Sequence, residues 1–166
     1  MTKPHYSALT SLVHKIGSSR PGAWMFARSL HHFDWLVLKL SGGRKTLTSI
    51  LAGMPMLTLT TTGARSGLPR TMPLACFRDP QEPASFALIA SNWGQAHNPS
   101  WYFNLKAQPR ATCSIAGHTG QYIAHEASDE EYACFWQIAT ETYIGYSLYK
   151  QRAPNRKIPI MVLKPE

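Results

Sequence analysis

The chain is short of acid. Nine Asp and Glu stand against 17 Lys and Arg, a formal net charge of +8. Paired carboxylates for general acid–base hydrolysis are therefore scarce. Cysteine is scarce too: Cys76, Cys113 and Cys134 lie far apart and follow no metal or redox spacing, which reads as reduced core thiols in a cytosolic protein. The seven histidines are dispersed, and the one adjacent pair, His31-His32, cannot converge on a helix. No metal site is expected. Long apolar runs are missing, so neither a secretory leader nor a membrane span is expected; Trp35–Leu38 is far too short. Also absent are G-x-S-x-G, a Walker sequence, H-E-x-x-H and any helix-turn-helix, zinc-finger or RNA-binding signature. These absences count against hydrolases, nucleotide triphosphatases, zinc enzymes and nucleic-acid binders.

What is present is a globular composition, 44% hydrophobic and 16% charged over 166 residues, enough for one core. The charge is uneven. Residues 1–50 hold seven Lys and Arg against Asp34 alone, whereas residues 126–166 hold five against six acids. The basic part is the N-terminal third, where Trp24, Phe26, Phe33 and Trp35 are interleaved with Arg28 and Lys39. Segments 7–16 and 23–40 have helical character, separated by Ser18-Ser19-Arg20-Pro21-Gly22 and closed by Ser41-Gly42-Gly43. The second segment reads as a cover for one face of the core, an active-site lid or a peripheral membrane contact.

From Met56 the pattern changes to strands: 56–62, 72–77, 86–91, 111–116, 121–126 and 157–163. Asp79–Pro83 and Gly117–Gly120 read as hairpin loops. Asn98-Pro99 starts a short helix, with Asn98 as its cap. Ser128 and Glu131 form a capping box ahead of an amphipathic helix. Strands in adjacent hairpins argue for an α+β split β-barrel of about six mostly antiparallel strands with helices outside. Residues 1–45 read as a basic helical extension and 46–166 as the barrel domain.

Four segments carry candidate chemistry. Gly63–Arg70 is a small-residue turn bearing Arg65, Ser66 and Arg70, suited to phosphate or carboxylate, or else a solvated hairpin. Ala90–Gly94 takes a strand out into a small-residue loop. Asn98–Leu105 carries Trp101 and Asn104. Tyr143, Tyr146 and Tyr149 recur every three residues, a helical spacing that lines one side of a cavity or forms a half-buried helix end. The set fits chemistry carried by a bound cofactor.

Taken together and in order, L-T-T-T-G-A-R-S-G-L-P-R, A-S-N-W-G, N-P-S-W-Y-F-N-L, the Y-x-x-Y-x-x-Y segment and R-K-I-P-I-M-V-L-K-P resemble the deazaflavin-dependent nitroreductase family. The likeness runs from about His32 to the C-terminus. It implies a split β-barrel, non-covalently bound coenzyme F-420 (8-hydroxy-5-deazaflavin), and hydride transfer to quinones, nitroaromatics or activated enones. It further implies that Arg65, Ser66 and Arg70 hold the cofactor phosphate and acidic tail. Met72, Pro73 and Leu74 would lie beside the ring, Ser91 near its reacting end, Asn92 among the cofactor contacts, and Trp101 and Asn104 at further ring or tail contacts. Tyr143, Tyr146 and Tyr149 would line the substrate side, with Tyr146, or Ser91 through water, as the catalytic donor. The sequence departs from the family where relatives carry two basic residues and this chain has Ala64-Arg65, and where relatives carry Lys and this chain has Asn92. Ala75 and Cys76 stand where the nitroreductase proper has a tyrosine facing substrate. An FMN-binding split barrel and a non-catalytic lipid- or fatty-acid-binding barrel are the alternative readings. The expected partners are a small-molecule electron acceptor and a second copy in a homodimer, with no nucleic acid. The expected location is the cytoplasm, peripheral to the inner face of the membrane through residues 23–40.

Overall fold

The computed structural model describes residues 54–166 together with Ile16, Ser19, Pro21, Met25 and Val37. The expected N-terminal extension and its aromatic segment otherwise lie outside the described residues; Ile16, Pro21, Met25 and Val37 are helical.

Seven strands form one antiparallel sheet curled into a half-barrel: β1 Met56–Thr62, β2 Pro69–Ala75, β3 Phe77–Arg78, β4 Phe86–Ile89, β5 Arg110–Ile115, β6 His118–Glu126 and β7 Ile160–Pro165. Their order is β2-β1-β5-β6-β7-β4-β3. Three helices complete the barrel region, α1 Ser100–Ala107, α2 Asp129–Thr142 and α3 Gly145–Arg152. The α+β split-barrel expectation holds, with one strand more than expected. The difference lies at Cys76: its N–H bonds Pro55 O at 3.0 Å, one step past the last β1–β2 pair, Met56–Ala75, and from Phe77 the chain pairs with β4 instead, so the expected 72–77 strand divides into β2 and β3.

Side-chain alternation sorts the core onto the two faces of the sheet. In β4 and β7, Phe86, Leu88, Met161 and Leu163 point to one face, with Leu57, Leu59, Trp101 and Cys113. Ala87, Ile89, Ile160 and Val162 point to the other, against Phe135, Tyr143, Tyr146 and Tyr149. β4 and the first four residues of β7, Ile160–Leu163, are therefore apolar throughout. β1 buries only Leu57, Leu59 and Thr61. Leu59 is fully buried, and truncation to Ala costs about 2–5 kcal/mol. β2 is an edge, which is why it tolerates Pro69 and Pro73.

Two helix starts follow different physics. At α2, Ser128 accepts the Glu131 N–H at 3.3 Å and Glu131 accepts the Ser128 N–H at 2.8 Å, the expected capping box. At α1 the expected Asn98 cap does not form: the helix begins at Ser100 with Pro99 in the cap position. Asn98 Oδ1 is instead buried without a hydrogen-bond partner among the described residues.

Candidate functional site

The β1–β2 hairpin places the arginine turn. Thr62 pairs with Pro69 and Thr61 with Arg70, leaving residues 63–68 as the loop. Gly63 N–H donates to Leu68 O at 2.9 Å and Gly67 N–H to Gly63 O at 2.8 Å, with Gly67 left-handed at φ +67°. Gly63 is required by closeness: a Cβ there would sit 2.6 Å from Ser66 Oγ and 3.1 Å from Leu68 O. Ser66 Oγ accepts the Leu68 N–H at 3.3 Å and an Arg70 Nη2 hydrogen at 3.5 Å.

The turn is held from below by Asn104 on α1, which is 7% exposed. Its Oδ1 accepts the Ala64 N–H at 2.9 Å, and its Nδ2 donates to Thr61 Oγ1 at 3.0 Å. The resemblance groups Asn104 with cofactor contacts; in the fold its amide is engaged by the turn, so it acts on where the arginines stand. Arg65, Ser66 and Arg70 are exposed. Five ion pairs occur among the described residues, and none includes Arg65 or Arg70.

The neighbouring candidates divide between surface and core. Met72, Pro73 and Leu74 are half-buried on β2, with Met72 and Leu74 packed on the Leu57–Leu59 face. Trp101 is only 3% exposed and lies in that core. Ser91 is 8% exposed at the end of β4 and opens a 3-10 turn, Asn92–Gly94. Asn92, Trp93 and Gly94 are consecutively left-handed, at φ +47°, +57° and +76°. For residues with a Cβ that costs roughly 1–2 kcal/mol each. Asn92 Nδ2 donates to His97 O at 2.9 Å, which closes the loop.

The three tyrosines do not share one helix. α2 ends at Thr142, Tyr143 is its extended cap, and only Tyr146 and Tyr149 lie on α3. They nevertheless meet, because the chain bends back: ring centroids are 5.7 Å apart for Tyr143–Tyr146 and 6.1 Å for each pair with Tyr149. The Tyr143 and Tyr149 hydroxyls are 3.2 Å apart. All three rings are buried, Tyr146 also packing edge-on to Phe77. Burial raises all three hydroxyls above the usual phenol range, helped at Tyr146 by Tyr143 and Cys76. They stay neutral donors at neutral pH.

A model of the F420H(2)-dependent quinone reductase family matches residues 19–165. The chain belongs to this family. It is 36% identical over 114 residues to the F420H(2)-dependent quinone reductase Rv1261c of Mycobacterium tuberculosis, spanning 66% of this chain and 72% of that relative. Among solved structures it is similar to the F420-H2 dependent reductase FDR-A, with 33% identity, a TM-score of 0.59, and coverage of 66% of this chain and 94% of that one. It is also similar to a structure described as a domain-swapped dimer, with 28% identity, a TM-score of 0.62, and coverage of 87% and 99%.

Membership of the F420H(2)-dependent quinone reductases makes the chain an oxidoreductase of the deazaflavin class, with coenzyme F-420 as the family's cofactor. The residues fit that group. F-420 carries a phosphate and an acidic tail, and the turn offers two exposed guanidiniums that no carboxylate of the described chain neutralises. Among the described residues no group of three or more His, Cys, Asp or Glu could hold a metal ion. No described helix is long and apolar enough to cross a membrane.

Sequence reasoning missed one residue. Arg156 Nη2 donates to Ala90 O at 3.2 Å and Ser91 O at 2.6 Å, and its Nη1 donates to His97 O. Its local signals are its place at the head of R-K-I-P-I-M-V-L-K-P and the basic pair Arg156-Lys157 shortly before β7, which read equally well as a solvated strand end.

Proposed function

We propose that this protein reduces a quinone with F-420H2, with nitroaromatics and activated enones as further acceptors. The observation that carries this reading is the pair of arginines, paired with no carboxylate among the described residues, on a turn fixed by Asn104. Arg65 and Arg70 bind the phosphate and the tail carboxylates through charge-assisted donors, and Ser66 adds a hydroxyl. Met72, Pro73 and Leu74 form an apolar support for the ring, and Ser91 and Asn92 face its reacting end. Trp101 and Asn104 support this wall from within the core. When bound, the reduced deazaflavin supplies the hydride. Tyr146, neutral at working pH, or Ser91 through water, donates a hydrogen bond to the acceptor oxygen where negative charge develops. Tyr143 and Tyr149 hold the Tyr146 ring by edge contacts.

The decisive experiment titrates F-420 into the purified protein and follows tryptophan fluorescence, then follows F-420H2 oxidation with menadione. Micromolar quenching that weakens with salt and is lost in Arg65→Ala/Arg70→Ala supports the reading. Absence of quenching in the wild type at micromolar cofactor overturns it. FMN run in parallel distinguishes a flavin barrel.

A quinone acceptor suits a protein that touches the membrane surface from the cytoplasm. The basic aromatic segment 23–40 is the candidate contact, and Met25 within it is helical and 47% exposed. Flotation with anionic liposomes, with and without residues 1–45, tests this; equal flotation of both forms counts against it. The same truncation tests whether 46–166 is the folding unit. The domain-swapped relative supports a homodimer, and light scattering at micromolar protein decides it.

A further inference from the structure

Among the described residues, Asn92–Gly94 is the only run of three consecutive left-handed residues. Such a turn persists only where its surroundings over-determine it. Its internal bonds are few: Gly94 N–H to Ser91 O and Gln95 N–H to Asn92 O, both 3.0 Å. Contacts with two other parts of the chain add to them. On one side Gly94 presses on α3, where a Cβ would stand 3.0 Å from Tyr149 Cα, and the Trp93 ring meets Tyr149 edge-on. On the other side stands Arg156, whose fork spans both ends of the loop at Ala90 O, Ser91 O and His97 O.

This arginine sits there at a cost. Its Nε is buried with no hydrogen-bond partner among the described residues. Burial also lowers its pKa, so the site does not favour the charge for its own sake. Its described partners are backbone carbonyls, not a carboxylate, so an ion pair is not the reason for an arginine here. A planar fork can reach carbonyls at two places at once; an ammonium cannot reproduce that geometry.

We propose that Arg156 is a positioning residue of the cofactor site: by tying the Ala90, Ser91 and His97 carbonyls together it holds the Ser91–Asn92 face against Tyr149, and so sets how tightly the deazaflavin is held. The proposal rests on the F-420 reading given above. Asn92 is coupled to it through the shared His97 carbonyl.

The test compares Arg156→Lys and Arg156→Ala with wild type and with Arg110→Ala, a control that breaks the remote Arg110–Glu166 pair. In cofactor-free protein, hydrogen exchange at the Gly94 and Gln95 amides is expected to accelerate in both Arg156 variants while the β1–β5 ladder keeps its protection. F-420 affinity, read by fluorescence, is expected to fall roughly tenfold to a hundredfold, as for a site displaced by an ångström or so. In the exchange readout, Asn92→Ala is expected to add less in the Arg156→Lys background than in wild type, because both side chains bond the His97 carbonyl. Millimolar guanidinium is expected to restore part of the affinity of Arg156→Ala. If Arg156→Ala does not fold, Arg156→Lys decides alone. Unchanged affinity in a folded Arg156→Lys, or exchange that rises evenly over the whole sheet, overturns the proposal. If wild type does not bind F-420, the cofactor reading fails by itself, and the exchange at Gly94 and Gln95 still decides whether Arg156 positions the loop.

Discussion

Asn104 Oδ1 accepts the Ala64 backbone N–H at 2.9 Å, a bond between a buried helix residue and the apex of a surface turn forty positions earlier. Because the donor is backbone, the side chain at position 64 is irrelevant to it. The turn is therefore fixed whichever side chain stands at position 64. Removing the amide leaves the Ala64 N–H without its acceptor and Thr61 Oγ1 with only its 3.5 Å bond to Arg70 O. Asn104→Ala is expected to cost about 1–3 kcal/mol in urea melts and to weaken F-420 binding beyond that of an equally destabilised core variant. Asn104→Asp keeps an acceptor for Ala64 but brings negative charge under the arginines, so its binding loss is expected to shrink as salt rises. Unchanged affinity in Asn104→Ala means that the bond does not set the turn.

Gly94 joins the strained loop to α3, and its replacement separates two effects. At φ +76° any Cβ is strained, by about 1–2 kcal/mol. At Gly94 it would also lie 3.0 Å from the Tyr149 backbone, adding about 1–3 kcal/mol of overlap. Gly117, at φ +89°, has nothing within 4 Å of a built Cβ and isolates the dihedral effect. Gly94→Ala is expected to lower the melting temperature more than Gly117→Ala and to impair quinone reduction, while Gly117→Ala leaves turnover intact. Equal losses in the two variants mean that the loop–helix contact is loose.

Local signals were legible in the chain and long-range ones were not. β1 runs from Met56 to Thr62 as its alternation predicts, and the Ser128–Glu131 capping box forms because all its partners lie within four residues. The break at Cys76 depends on Pro55, twenty-one residues away, and nothing near position 76 announces it. Asn98 has the right residue type for a cap, yet α1 begins two residues later and its side chain is buried elsewhere. The three-residue tyrosine interval suggested one helix; Gly145 starts a new one, and the rings meet through the bend. Arg65, Ser66 and Arg70 were visible because small residues and arginines adjoin. Arg156 was not, since its task is to bind carbonyls sixty positions away, and carbonyls carry no sequence signature.

The cysteines give a simple check of the core. Cys76 and Cys113 are 1% and 2% exposed. Burial pushes each thiol up to about 12, opposed at Cys76 by Arg78 and reinforced at Cys113 by Cys76. Their thiolate fraction at neutral pH is on the order of one in a hundred thousand. Cys134 is exposed on α2. A thiol reagent is expected to label Cys134 alone in native protein and all three cysteines in denaturant. Rapid native labelling at Cys76 or Cys113, located by peptide mapping, contradicts this packing of the sheet face.

Acid is expected to destabilise the barrel through Glu131. His125 Nε2 lies 3.0 and 3.1 Å from the two Glu131 oxygens, and the Ser128 N–H donates to the same carboxylate. Burial pushes this carboxyl up, but the Ser128 amide and His125 together outweigh it and hold it below its ordinary 4.5. The sign follows from linkage: a depressed folded-state pKa means that the unfolded chain binds protons first. The stabilisation is complete above the ordinary carboxyl range and is lost as pH falls from 4.5 through the lower folded value. Glu126, held down mainly by Lys106 and also by Tyr102, adds in the same direction. Urea midpoints are expected to be flat from pH 7 to 6 and to drop below pH 5. Glu131→Gln is expected to start lower at neutral pH, by about 1 kcal/mol for the weakened cap, and to drop less in acid. Parallel pH profiles for wild type and Glu131→Gln mean that the carboxylate is not the group that titrates.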